Sequence, residues 1–337
     1  MTLAHVVSVS GGKDSTATYL RAMERGLPFT AVFADTGNEH EWTYDFVRTL
    51  PERTGGPAIQ WVKADFTQEI AKRRLYVAKH WPAKGVPMAT VDRALALLHP
   101  TGNPFLDLCF WKTRFPSAKA RFCTDELKIV PMFEAVQRPL LEAGATFISW
   151  QGVRADESKK RSTLPKFQRI NPVPFSYSNA RLGDADIDAW RAYAYRPLID
   201  WNAADVFAYH VRHGVAWNPL YDHGMGRVGC LPCIMCKKDE MRSIAQRFPD
   251  HIDKIEAWEA LVSEVSKHGN STFFNVCDDP ILKEGWNHND YDWSLSRVGI
   301  RARVEWSKTS YGGRQYDAFL DPPEPVSKSC SEYGVCE

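Results

Sequence analysis

The residues from Val6 to Ser15 read Val-Val-Ser-Val-Ser-Gly-Gly-Lys-Asp-Ser and set how a chain carrying them begins to fold. Val6, Val7 and Val9 form a β-branched run suited to a buried parallel strand. Two glycines break that run, and Thr16 to Met23 continues as a helix. A strand, a glycine turn and a helix N-terminus in that order form an anion site, because backbone N–H groups point outward and the helix dipole favours negative charge. Gly11 and Gly12 let the backbone approach a phosphate, Lys13 adds a point charge, and Ser10, Ser15 and Thr16 offer hydroxyl donors. The spacing is not that of a Walker-type loop.

The same alternation continues downstream. Gly26-Leu27-Pro28 turns the chain into a second apolar strand, Phe29 to Ala34, which ends at Asp35-Thr36-Gly37. His40 to Leu50 reads as a helix with Trp42, Phe46 and Leu50 along one face, residues 51–57 as a loop, and residues 58–64 as a third strand. Thr146 to Trp150 is a fourth strand and runs straight into Gly152-Val153-Arg154-Ala155-Asp156-Glu157-Ser158. Arg196 to Trp201 reads as a further short strand, followed by a helix over 203–213 with Val206, Tyr209 and His210 on one side. Strands alternating with helices predict an α/β fold with a doubly wound, mainly parallel sheet and ligands at the carboxyl ends of the strands. The glycine loop, Asp35–Gly37 and Arg154 all fall at such ends, and an arginine there can grip an oxyanion through two N–H groups.

Between these elements the pattern is less regular. From about residue 75 to 118 it dissolves into Trp, Pro, Gly and Lys around a short apolar helix near Val91–Leu98, which reads as an insertion over the substrate side: a lid, or an excursion packing its own aromatics. Thr124 reads as an N-cap, with Leu127, Val130, Met132 and Val136 at helical spacing and Pro131 as a kink. Helices are expected over about 239–247 and 251–267. With 337 residues, the expected organisation is a nucleotide-binding domain over 1–236 and a helical, partly irregular region over 237–337 with a cysteine-containing tail.

A net charge of +1 leaves no electrostatic footprint for a membrane, and nucleic acid is open only through local basic patches. No run reaches the length of a transmembrane span, and the first strand starts at once, so no signal peptide and a cytoplasmic location are expected. Eight cysteines in that setting point to metal-bound or catalytic thiols rather than a disulfide frame. Cys230-x-x-Cys233-x-x-Cys236 has the spacing to put three thiolates on one iron–sulfur cluster, although a structural zinc looks the same in sequence. Cys109 and Cys277 read as buried apolar thiols, and Cys330 and Cys336 as either a redox pair or a tail without catalytic work.

Taken in order, Ser10–Ser15, Asp35–Gly37, Phe122-Cys123-Thr124 with Leu127-Lys128 and Pro131, Gly152–Ser158, Pro197–Trp201 with Asp205-Val206, and Asn218–Tyr221 leading to Gly229-Cys230 resemble the phosphoadenosine phosphosulfate (PAPS) reductase family of the PP-loop ATP pyrophosphatases. The resemblance implies an adenine-nucleotide α-hydrolase-like sandwich acting on a small-molecule nucleotide. It implies that Ser10, Gly11, Gly12, Lys13, Asp14 and Ser15 hold phosphate and that Asp35, Thr36 and Gly37 lie near the adenosine. Gly152, Arg154 and Glu157 would reach the ligand from the opposite strand end, with Lys128 completing a cationic wall. Cys123 would be the fourth ligand beside Cys230, Cys233 and Cys236 for a [4Fe–4S] cluster.

The chain departs from the reductases proper in two places. Its Ser-Gly-Gly-Lys-Asp-Ser loop is intact, as in the ATP-using branch that includes proteins of DndC type, and its tail lacks the Glu-Cys-Gly-[Ile/Leu]-His motif. The expectation is therefore an enzyme that splits ATP-Mg²⁺ into pyrophosphate and an adenylate, for sulfur-related or DNA-modification chemistry. In that scheme Lys13, Asp14 and Arg154 are catalytic, Asp14 helps to hold Mg²⁺, and a sulfur- or electron-donor protein is the implied partner. The alternatives are a thiol-dependent sulfonucleotide reductase resolved by thioredoxin, and a non-catalytic nucleotide- or nucleic-acid-binding module with a structural metal. The acceptor and the oligomeric state are not fixed by the sequence.

Overall fold

A computed structural model describes residues 2–177, 179–274 and 298–308, with the side chains of 179 and 180 left aside. Cys277, Cys330 and Cys336 lie outside the described residues. Six strands form one sheet in the order β3-β2-β1-β4-β6-β5. They are β1 (Leu3–Ser8), β2 (Phe29–Asp35), β3 (Ile59–Lys63), β4 (Thr146–Trp150), β5 (Phe167–Arg169) and β6 (Arg191–Tyr195). All neighbours pair in parallel except β5, which runs antiparallel to β6. Strand order reverses between β1 and β4, so the switch-point crevice of this doubly wound sheet opens at their carboxyl ends.

Alternation along the strands divides the core in two. Val7, Val9, Ala31, Phe33 and Trp150 face one layer, which includes α1 (Lys13–Glu24), α2 (Glu41–Thr54) and the helix Ala203–Arg212. Val6, Val32, Ala34 and Phe147 face the other, against Ile129, Met132, Phe133 and Val136 of a helical run over 122–142. On that second face each central strand turns polar at its carboxyl end: Val6 gives way to Ser8, and Phe147 to Ser149 and then Gln151. Trading buried apolar side chains for hydroxyls and an amide costs hydrophobic stabilisation.

Several expectations need correction. Strand β6 ends at Tyr195, and Arg196–Trp201 is turn rather than strand, because Pro197 has no N–H to give a ladder. Strand β5 is short and was not anticipated. Helix α2 passes through Pro51 to Thr54 and closes on Gly55 at φ 66°; Phe46 and Leu50 are buried as expected, whereas Trp42 is half-buried. Thr124 does not cap a helix start: it is itself helical at φ −64°, ψ −48°. The run 122–142 is continuous and includes two π-helical segments, Asp125–Ile129 and Phe133–Gln137, each placed shortly before a proline, Pro131 and Pro139. The wider turn accommodates a ring that an α-helical i−4 carbonyl would meet.

The described chain divides into two compact units. The first comprises the sheet segments up to Ala64 and from Phe122 to Cys230. The second joins Asp65–Arg121 with the described residues that follow Cys230. The stretch read as irregular holds three helices, Thr67–Ala83, Met88–Leu97 and Pro104–Lys112. Apolar positions there bury against the same unit: Phe105 stacks on Trp258 at 5.5 Å and on Phe273 at 5.9 Å. Cys109 is fully buried among them, as expected for an apolar thiol. Lys238–Arg247 and Pro249–Glu264 are helices close to their expected bounds. No described helix is long and apolar enough to cross a membrane.

Candidate active site

The glycine loop closes on itself before it meets any ligand. Ser15 Oγ accepts the Ser10 N–H at 3.1 Å and lies 3.0 Å from both the Ser10 hydroxyl and the Gly12 carbonyl. Thr16 Oγ1 donates to the same carbonyl at 2.9 Å. The hydroxyls of Ser10, Ser15 and Thr16, read from sequence as ligand donors, thus fix the loop's shape. Gly11 sits at φ 81°, and a Cβ there would come within 2.7 Å of Thr43 Cγ2, so both the backbone and the close approach of α2 require glycine.

Three residues from a distant segment brace the loop from behind. His210 Nε2 lies 2.8 Å from the Lys13 carbonyl, Asn218 Nδ2 donates to the Gly11 carbonyl at 3.2 Å, and the Tyr221 hydroxyl accepts the Lys13 N–H at 3.0 Å. The sequence placed His210 on an apolar helix side and offered no sign that it would reach a backbone carbonyl. Asn218 and Tyr221 stood out only as parts of a motif.

The charged residues converge on one carboxylate. Asp14 is fully buried; its Oδ2 pairs with Lys13 Nζ at 2.7 Å, and its Oδ1 lies 2.8 Å from Arg154 Nε as an ion pair rather than an aligned hydrogen bond. Arg154, also buried, meets Asp156 at 2.8 Å and Glu157 at 3.8 Å. Glu157 accepts the Arg154 N–H at 3.1 Å and pairs with Arg161. Both oxygens of Asp14 face cations, so in this geometry it orients Lys13 and Arg154. Gly152 packs against the first turn of α1. A Cβ there would sit 2.9 Å from the Asp14 carbonyl atoms and 3.0 Å from the Ser15 nitrogen, so its contribution is to let the β4 loop lie against the first turn of α1.

At the end of β2 the polar groups are turned inward. Asp35 Oδ1 accepts from the Gly37 N–H at 2.9 Å and from the Tyr44 hydroxyl at 2.8 Å. Thr36 Oγ1 donates to Glu39 Oε1 at 2.6 Å, and the Thr36 N–H reaches Glu39 Oε2 at 3.2 Å. Burial first, and then the Glu39 and Asp35 carboxylates, push the Tyr44 phenol well above its ordinary value, so it stays a proton donor. Glu39 is the residue the sequence reading missed here. With Ser8, Ser10, Lys128, Met132 and Gly229 it lines a recess beside the glycine loop, into which buried Lys128 brings a cation.

The thiols are dispersed among other partners. Cys230 pairs with Glu39 in a short antiparallel bridge; its Sγ lies 3.3 Å from Thr36 Oγ1 and donates to Glu39 Oε1 at 3.8 Å. Cys233 Sγ accepts the Met235 N–H at 3.4 Å, and Cys236 Sγ donates to the Lys237 carbonyl at 3.4 Å. Cys123 is half-buried. Among the described residues no three His, Cys, Asp or Glu side chains are grouped to hold a metal ion.

The family model of the phosphoadenosine phosphosulfate reductase domain matches residues 4–98 and 103–236. The chain belongs to this family. Its sequence is 42% identical over 342 residues to an uncharacterized 37.8 kDa protein of Escherichia phage 186, covering 99% of this chain and 96% of that one. It is also 42% identical over 182 residues to the adenosine 5'-phosphosulfate reductase of Burkholderia cepacia, covering 51% of this chain and 69% of the other. Among solved structures, the PAPS reductase of Candida auris aligns at a TM-score of 0.39 with 18% identity, covering 68% of this chain and 82% of that chain. Membership makes the chain part of an enzymatic, nucleotide-binding family.

Proposed function

We infer that the chain binds an adenine nucleotide at the switch-point crevice and that its favoured substrate is ATP, cleaved between the α- and β-phosphates to pyrophosphate and an adenylate carried to an acceptor oxygen. The observation behind this reading is the intact loop with two buried cations, Lys13 and Arg154, converging on Asp14 at its first helical turn. An acceptor oxygen attacks the α-phosphorus as the bond to the bridging oxygen breaks, and the electron pair leaves with pyrophosphate. Lys13 and the loop amides are suited to hold the charge that develops on that leaving group, Arg154 to hold the α-phosphate, and Asp14 to keep both cations aimed. Magnesium enters with ATP as part of the substrate. An iron–sulfur cluster on Cys123, Cys230, Cys233 and Cys236, a DndC-like place in sulfur or DNA modification, a sulfur-donor protein and a cytoplasmic setting belong to the same proposal.

The similarity to an adenosine 5'-phosphosulfate reductase supports a second reading, sulfonucleotide reduction. There a tail thiolate, Cys330 or Cys336, would attack the sulfate sulfur and release AMP, and a second thiol would free sulfite as a disulfide forms. One experiment separates the two: ATP with pyrophosphate detection, and adenosine 5'-phosphosulfate or PAPS with sulfite detection. Pyrophosphate release abolished by Lys13→Ala supports the first. Sulfite release abolished by replacing Cys330 and Cys336, with no pyrophosphate formed from ATP, overturns it.

A further inference from the structure

Among the described residues β5 ends the sheet, and the charges around it are of one sign. From Lys159 to Arg169 the chain carries Lys159, Lys160, Arg161, Lys166 and Arg169 and no acidic residue. Arg161 is buried against Glu157, but the other four are exposed. Lys166 meets Asp200 at 2.9 Å with both side chains more than half exposed, a pairing worth little in water. In a chain whose net charge is +1, this is a concentrated patch. Phe167 stands between the charges and is 51% exposed. Its ring stacks on half-buried Tyr193, with centroids 5.2 Å apart and planes 11° from parallel.

The patch lies at the ligand end of the sheet. Phe167 is in register with Tyr195, and Tyr195 with Trp150, so the exposed ring is level with the carboxyl ends of β4 and β6. Two strand spacings, about 10 Å, separate β5 from β4, whose end leads into Arg154. Lys159 and Lys160 open the short helix that Ser158 caps, directly after the Gly152–Ser158 loop. We propose that this edge binds single-stranded nucleic acid. Backbone phosphates meet Lys159, Lys160 and Arg169, and a base extends the stack begun by Phe167 on Tyr193. Charge alone would favour the denser phosphates of a duplex, whereas an open aromatic ring favours bases that are not already stacked. Lysines also serve on edge strands to block pairing with another sheet, but that use calls for no exposed phenylalanine. The inference names a partner for the DNA-modification part of the reading above, and it rests on surface chemistry rather than on ATP cleavage.

The test is fluorescence anisotropy of the full chain with labelled mixed-sequence oligomers of about 15 nucleotides, as single-stranded DNA, single-stranded RNA and duplex DNA. Single strands bind at least ~5-fold tighter than the duplex. Their affinity falls ~7- to 20-fold between about 50 and 200 mM salt, as for two or three phosphate contacts. Lys159→Ala with Arg169→Ala weakens binding ~10- to 30-fold and flattens the salt dependence. Lys72→Ala with Lys79→Ala, an equal loss of exposed charge on the helix Thr67–Ala83, changes it less than ~2-fold. Phe167→Ala weakens single strands ~5- to 150-fold and leaves the duplex unchanged, and Phe167→Trp restores them. Melting curves check that the variants fold; if Phe167→Ala does not, the charge variants and the strand-against-duplex comparison decide. A preference for DNA or for RNA supports the inference and names the polymer. Duplex bound as tightly as single strands, equal losses in both charge variants, or no binding at the lower salt overturns it. Pyrophosphate release from ATP is read separately on the same protein, so failure here leaves the proposed function standing.

Discussion

Replacing Asp14 by Asn tests whether this carboxylate is an orienting counter-charge or a metal ligand. In the structure it is fully buried between Lys13 Nζ at 2.7 Å and Arg154 Nε at 2.8 Å, and neither cation is more than 8% exposed. Removing one partner of a buried pair leaves an uncompensated charge and costs about 3–5 kcal/mol. Asn keeps one acceptor oxygen and Arg154 keeps Asp156, so about 3 kcal/mol is expected, a fall of roughly 4 °C in Tm. The same change makes the loop more electropositive. At ~6 Å, with an effective dielectric between about 20 and 80, losing one negative charge favours an arriving phosphate charge by about 0.7–2.8 kcal/mol. Pyrophosphate should therefore bind Asp14→Asn ~3- to 100-fold tighter than the unmodified chain and restore part of the lost Tm. Calorimetric titration with pyrophosphate, with and without Mg²⁺, and a melting scan read all of this out. Loss of less than about 1 kcal/mol, or pyrophosphate affinity that falls in the variant and no longer responds to Mg²⁺, would refute the argument and return Asp14 to the metal.

Other perturbations follow from single contacts. Gly152→Ala drives a Cβ into the Asp14 carbonyl, so a loss of about 1–3 kcal/mol and much weaker nucleotide binding are expected, checked by urea unfolding and ATP titration. Glu259 is buried and accepts the N–H groups of Phe273 at 2.7 Å and Ile300 at 3.0 Å; burial pushes its carboxyl from 4.5 up to about 7. A raised folded-state value means its contribution is complete below pH 4.5 and is lost as pH rises through 7, by about 3 kcal/mol. Glu259→Gln should flatten that part of the pH–stability curve and be the more stable form at pH 8; equal pH dependence of both proteins would count against it. Tyr44→Phe strips the donor shared by Asp35 and Glu39, with an expected cost of about 1–3 kcal/mol, read by urea midpoint. For the cluster proposal, anaerobically purified protein should contain iron and acid-labile sulfide that disappear on joint replacement of Cys233 and Cys236; zinc without sulfide would sink it.

Local chemistry was legible in the sequence because it is written in neighbouring residues. The valine run, the glycine turn and the helix after it specify strand, loop and N-terminus over a few positions, and periodicity placed β1, β2 and β4. The parallel sheet and its ligand edge followed from alternation alone. Where a single proline or a short edge strand decided the outcome, as at Pro197 and β5, local pattern was not enough. Tertiary structure alone decided what those residues do. Ser15 and Thr16 close the loop, since the Gly12 carbonyl lies within their reach. Asp14 became a counter-charge because Arg154, 140 positions away, arrives on the adjacent strand end. Glu39 and Gln151 look like ordinary polar residues until burial removes water and leaves each to find its partners. Sequence determines which groups are offered at the ends of the strands; folding decides which of them are used up internally and which remain for a ligand.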